Sequence, residues 1–184
     1  MTRRAPWTWL AAVVAVAGVW VAVAGAQPDS LDALLRDFGL RPLSGGPPAF
    51  TLAGLDGERH ELEELKGRVG LLYFWASWCP HCSRELPTSI EKLHRELGPR
   101  GLTVWAIDIA ESPDHVARWV GQRGISVPVL LDADGAVTRA YRVTATPTVV
   151  LLGRDGQWIA RGVGSREWDT EGRPILAALL DRRP

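Results

Sequence analysis

Cys79 and Cys82 are the only two cysteines among 184 residues, and only Pro80 and His81 stand between them. A pair at this spacing suits dithiol–disulfide exchange. An apolar run, Val69 to Trp75, leads in, and a helical pattern follows at once. A cysteine at a helix start meets unpaired N–H groups and the positive end of the dipole, and both favour thiolate over thiol. Pro80 suits the first helical position, where its missing N–H costs nothing. One turn on, Cys82 is placed to resolve a mixed disulfide formed at Cys79. His81 lies between them, and an imidazolium beside a thiolate lowers the thiol's pKa. Other chemistries stay open. A zinc site wants four ligands, and no second cysteine pair or His-x-His cluster supplies them. Cys79, His81 and Cys82 could hold Cu(I) in a non-enzymatic carrier, since soft thiolates suit copper.

The elements that must position this pair follow from pattern. Val69–Trp75 reads as a central strand, apolar on both faces. The motif helix then carries Leu86, Ile90, Leu93 and Leu97 on one face and ends at Gly98-Pro99. A buried strand (102–109), a helix (113–123), a short strand (127–131) and a short helix entered at Asp134-Gly135 come next. Residues 148–152 and 158–163 flank Asp155-Gly156, a hairpin signal, and 174–180 form a final amphipathic helix. Upstream, Phe50-Thr51-Leu52 and Arg59 to Leu62 flank Asp56-Gly57 as a second hairpin, followed by a single helical turn closed by Gly67. The alternation predicts an α/β fold, a mixed sheet with helices on both faces. His60 is read as a strand-surface residue; His94 and His115 are read as helix-surface residues.

Residues 1–26 stand apart. Arg3 and Arg4 precede a stretch, Trp7 to Ala26, in which only Thr8 is polar. Its length suits a spanning helix, and Ala24-Gly25-Ala26 would suit the exit of a cleaved signal. Either reading keeps the basic end in the cytoplasm and exports the rest, so an extracytoplasmic domain with membrane contact through residues 7–26 is expected. Residues 27–47 read as a linker: Leu31, Leu34, Leu35 and Phe38 fit a short helix ended by Gly39, and Ser44-Gly45-Gly46-Pro47-Pro48 forbids regular structure. Residues 48–184 form the domain. With 21 basic and 21 acidic residues, charge offers no basis for nucleic-acid binding.

The run Trp75-Ala76-Ser77-Trp78-Cys79-Pro80-His81-Cys82 resembles the active site of thioredoxin-fold oxidoreductases. The continuation Ser83-Arg84-Glu85-Leu86-Pro87 resembles the TlpA/ResA-like branch, and Val143-Thr144-Ala145-Thr146-Pro147-Thr148 resembles that family's cis-proline loop. The resemblance implies a thioredoxin-like sheet with an added N-terminal β-hairpin. It makes Cys79 the attacking thiol, sulfur toward solvent, and Cys82 the resolving thiol. It makes Glu85 a proton-transfer group, in a chain whose strand Leu71-Leu72-Tyr73 lacks a carboxylate. Thr146 and a cis Pro147 would pair with a bound substrate strand, and Trp78 with Trp75 would shape the pocket. No cofactor beyond the redox-active disulfide is implied. Substrates would be proteins with disulfides or thiols, such as apocytochrome c or copper-site proteins, with electrons from a membrane thiol–disulfide donor. The branch implies a reductant, whereas a His at position 81 resembles the motif of DsbA, a strong oxidant; the oxidising alternative therefore stands beside the reducing one. A peroxidase of related fold is disfavoured, because Ala76 stands where that family places Thr or Ser.

Overall fold

The computed structural model describes residues 31–182; the N-terminal anchor or signal reading, residues 1–26, lies outside them. Among the described residues no helix is long and apolar enough to cross a membrane.

Three parallel strands form the centre: β4 (Val69–Trp75), β5 (Leu102–Ile109) and β6 (Val129–Asp132). All seven residues of β4 are buried, as its two apolar faces require. On one side, β7 (Thr148–Leu152) pairs antiparallel with β4, and β8 (Trp158–Val163) with β7. On the other side, β2 (Thr51–Gly54) pairs antiparallel with β6 and with β3 (Arg59–Glu61). His60 on β3 sits between Asp56 and Glu64, 2.9 and 3.3 Å away, rather than free on the surface.

Side-chain alternation divides the core in two. Leu71, Tyr73, Trp75, Val104, Ala106, Val149 and Leu151 face a large cluster covered by helices. These are α2 (Pro80–Glu85), α3 (Glu91–Leu97), α4 (Pro113–Gln122) and α6 (Arg173–Asp181). Leu72, Phe74, Trp105, Ile107, Val150 and Leu152 face a smaller cluster with Phe50, Leu65 and Tyr141, closed by α5 (Ala136–Ala140). Leu86, Ile90, Leu93 and Leu97 are all buried, but the motif helix is not continuous. A wide π turn, Leu86–Ile90, separates α2 from α3. Pro87 lies in it: without an N–H it cannot return a bond to Ser83, and the turn opens there.

The linker expected at 27–47 is, from Leu31 onward, part of the domain. Helix α1 (Leu31–Asp37) buries Leu31 and Leu35, and Leu40 is 3% exposed. Strand β1 (Arg41–Pro42) then adds to the edge at β8, Arg41 opposite Arg161. A Cβ at Gly162 would collide with Leu40 Cδ2, so this glycine lets the N-terminal segment close onto the sheet. The physical reason is area: three buried leucines outweigh the Gly- and Pro-rich composition that argued for a free tether.

Candidate active site

The disulfide sits where β4 hands over to α2. Cys79 is the residue before the helix, in extended backbone, and its Sγ accepts the Cys82 N–H at 3.2 Å. Its carbonyl accepts the Ser83 N–H at 3.0 Å. Pro80 begins the helix. Cys79 and Cys82 are joined, with Cα atoms 5.3 Å apart. Cys82 is fully buried, and Cys79 is 3% exposed rather than openly solvent-facing. One cover is the Thr146 carbonyl oxygen, 3.6 Å from Cys79 Sγ. The Thr146–Pro147 bond is cis. Trp78 is 68% exposed, an apolar ledge next to the sulfur in the chain, whereas Trp75 is buried against Trp119. His81 is exposed on α2, where its Nδ1 accepts from Arg84 Nη2 at 3.1 Å.

Glu85 lies one turn beyond Cys82 and is 5% exposed. Burial pushes its carboxyl up to about 7, against the Ser165 hydroxyl, the Arg166 N–H and the Tyr73 hydroxyl, which favour the charged form. Arg166 N and Tyr73 Oη each lie 3.4 Å from a Glu85 oxygen. Tyr73 itself is raised, first by burial and then by the Glu85 charge, so its hydroxyl is a donor at all working pH values. The helix and its cap therefore present the two sulfurs and a carboxyl that titrates near neutrality at successive steps of three residues.

A second group of residues, which sequence reasoning did not single out, holds the loop before Cys79. The Ser77 N–H donates to Glu111 Oε2 at 2.6 Å, and the Ser77 hydroxyl donates to Glu111 Oε1. His115 lies exposed on α4, as expected of a helix-surface residue, and its Nε2 is also 2.8 Å from the same hydroxyl, which ties it to the motif. Ala110, the residue before Glu111, turns the chain with φ 58°, a left-handed conformation unusual for a residue with a side chain. Beneath it, Asp108 is fully buried; burial first, and then the Glu111 carboxyl through hydrogen bonding and charge, raise its pKa. Glu111 is held below its usual value by the Ser77 donors. The signal that could have exposed this group is the pairing of β4 with β5, which sets Asp108 opposite Trp75.

This arrangement can accept a sulfur nucleophile's charge at a helix start, resolve a mixed disulfide internally and move a proton nearby. Comparisons with known proteins agree with it. A profile of the Redoxin family matches residues 45–180. Thiol-disulfide oxidoreductase ResA of Halalkalibacterium halodurans is 37% identical over 108 residues, which cover 59% of this chain and 61% of that protein. A thiol:disulfide interchange protein of the thioredoxin family from Chlorobium tepidum TLS superposes with a TM-score of 0.66 at 26% identity. That match covers 76% of this chain and 97% of the other. A secreted disulfide oxidoreductase of Mycobacterium tuberculosis superposes with a TM-score of 0.61 at 25% identity, over 71% of this chain and 96% of the other.

Proposed function

The chain belongs to the Redoxin family, and from that premise we propose that it is an extracytoplasmic thiol–disulfide oxidoreductase that reduces protein disulfides. The observation that carries the reading is the Cys79–Cys82 disulfide at a helix start, with Cys79 Sγ accepting the Cys82 N–H. In the reduced protein that N–H and the helix dipole favour a thiolate on Cys79. The thiolate attacks one sulfur of a substrate disulfide; a Cys79–substrate bond forms, and the other substrate sulfur leaves. Cys82 then attacks Cys79 Sγ, the Cys79–Cys82 bond forms, and the second substrate sulfur leaves. Two electrons pass to the substrate, and its two thiolates take up protons. Glu85, one turn from Cys82, takes the Cys82 proton as that thiol becomes a nucleophile. The Thr146 backbone beside Cys79 offers a substrate strand its hydrogen-bonding edge.

Repeated turnover needs a dithiol donor that reduces Cys79–Cys82 again; a membrane thiol–disulfide protein fills that role in this reading. The basic start and the apolar stretch of residues 7–26 support placement on the outer side of a bacterial inner membrane. Cysteines of apocytochrome c or of copper sites are the substrates in this reading, as the resemblance of the Cys79–Pro87 run to TlpA/ResA-like proteins implies. The test is a trapping experiment with a disulfide-bonded protein substrate. Reduced Cys82→Ser should accumulate a mixed disulfide through Cys79, and reduced Cys79→Ser should accumulate none. Equal trapping by both variants, or by neither, would overturn the assignment of roles.

A further inference from the structure

Four arginines line a cavity of about 610 Å³ on the edge of the sheet next to the active-site loop. Arg41 comes from β1, Arg161 from β8, Arg142 from the turn after α5, and Arg166 from the chain after β8. Gly39, Leu43, Thr144 and Val163 complete the wall. Arg41 and Arg161 are direct cross-strand partners, an arrangement that places like charges side by side and is unfavourable in itself. None of the four is in an ion pair among the described residues.

The hydrogen bonds they make do not neutralise them. Arg161 donates to the carbonyls of Tyr141 and Arg142, and its buried Nε has no partner among the described residues. Arg166 donates to the carbonyls of Phe38, Gly39, Val163 and Gly164. Carbonyl acceptors fix these guanidinium planes but leave their charge in place. Glu85, the carboxyl of the active site, is the acid that bears on Arg166. Arg142 stands at φ 50°, a left-handed backbone held by the Arg161 bond to its carbonyl, and its side chain is exposed. In a chain with balanced charge, three arginines without a carboxylate partner among the described residues, joined by Arg166 whose one nearby acid is the buried Glu85, line a single concavity and favour an anionic occupant.

The position of the cavity says which occupant. Thr144 in its wall is two residues from Thr146, whose carbonyl touches Cys79 Sγ. Val163, 45% exposed, pairs with Thr148, and the Gly164 N–H donates to the Pro147 carbonyl. The cavity and the disulfide are thus two sides of one loop. We propose that the arginine cavity is a docking site for a carboxylate-rich segment of the protein whose disulfide reacts at Cys79. The proposal rests on the oxidoreductase reading: the acidic segment binds the guanidinium groups while the neighbouring substrate strand lies along Thr146.

The test uses the full-length chain in neutral detergent and two fluorescein-labelled peptides without cysteine, one with four glutamates and one with four glutamines. At low salt the glutamate peptide should bind about tenfold tighter or more, and high salt should erase most of that preference. Arg41→Gln/Arg142→Gln, which removes two exposed side chains that make no hydrogen bonds among the described residues, should reduce the preference to about twofold or less. The single variants should give intermediate values. Equal binding of the two peptides, or a preference that survives the double variant, would overturn the proposal. So would a double variant that loses flotation with phosphatidylglycerol vesicles, relative to phosphatidylcholine ones, while keeping the peptide preference; the cavity would then be a headgroup site. Disulfide-bearing versions of both peptides separate this from the oxidoreductase reading. If neither is reduced while the anisotropy preference stands, the redox reading fails and the anion site does not.

Discussion

Tyr73 Oη lies 3.4 Å from Glu85 Oε2, inside the face of the sheet that carries the motif helix. The strand that enters the active site thus supplies the donor, and the helix that leaves it supplies the acid. A donor to the ionised carboxyl lowers its pKa, opposing burial. Tyr73→Phe should therefore move the Glu85 midpoint upward from about 7. A carbon-13 NMR titration of the Glu85 carboxyl would read it directly. A downward shift would contradict the balance of forces described above.

Stability should carry the same signature. The carboxyl titrates at about 7 in the folded chain against an ordinary 4.5. The folded state holds this proton more tightly, so the group's contribution is lost as pH rises from about 4.5 to about 7 and is constant above. Glu85→Gln carries no such loss. The variant should be more stable than wild type at about pH 8, by up to about 3 kcal/mol, and the difference should vanish toward about pH 4. Guanidinium unfolding across that range is the measurement. A difference that grows as pH falls would contradict it.

The same variant should slow disulfide exchange. Without a titrating carboxyl one turn from Cys82, the rate near pH 7 should fall about tenfold or more, and the inflection near 7 should disappear from the pH profile. Stopped-flow tryptophan fluorescence with a disulfide peptide would follow it. An unchanged profile would remove Glu85 from the proton path.

Glu111 makes a different prediction. Glu111→Ala leaves the half-buried Ser77 N–H without its acceptor and should cost about 1–3 kcal/mol. It should also loosen the loop before Cys79 and lower the exchange rate, whereas Glu111→Gln, which keeps one acceptor oxygen, should fall between. Equal stability of Glu111→Ala and wild type would show that Ser77 is held in another way.

The parts of this site that neighbour one another in sequence were legible there. Cys79 caps the helix that carries Cys82 and Glu85, and their spacing alone sets their order along it. Thr146 and Pro147 were legible through their local motif. Ser77, Glu111 and His115 were not, because the parallel register of β4 and β5, with Trp75 opposite Asp108, brings them together across more than thirty residues. The four arginines escaped for the same reason: β1 docks on β8, and nothing local to Arg41 announces Arg161. The helix of residues 31–37 was visible in its leucine spacing. Its docking was not, because short amphipathic segments read alike whether they find a surface or not.

That docking is itself testable. Leu35 is 1% exposed and belongs to the larger core cluster. Leu35→Ala should destabilise the protein by about 2–5 kcal/mol, as for a core leucine. A loss below about 0.5 kcal/mol, the range of surface changes, would return the segment to the linker.

The most direct test of the reducing role is the reduction potential of Cys79–Cys82, measured on the full-length chain equilibrated in thiol–disulfide buffers. A reductant should lie near thioredoxin, at about −270 mV. A value toward that of DsbA, about −120 mV, would contradict the reducing role and make His81 the residue that sets the direction of the reaction.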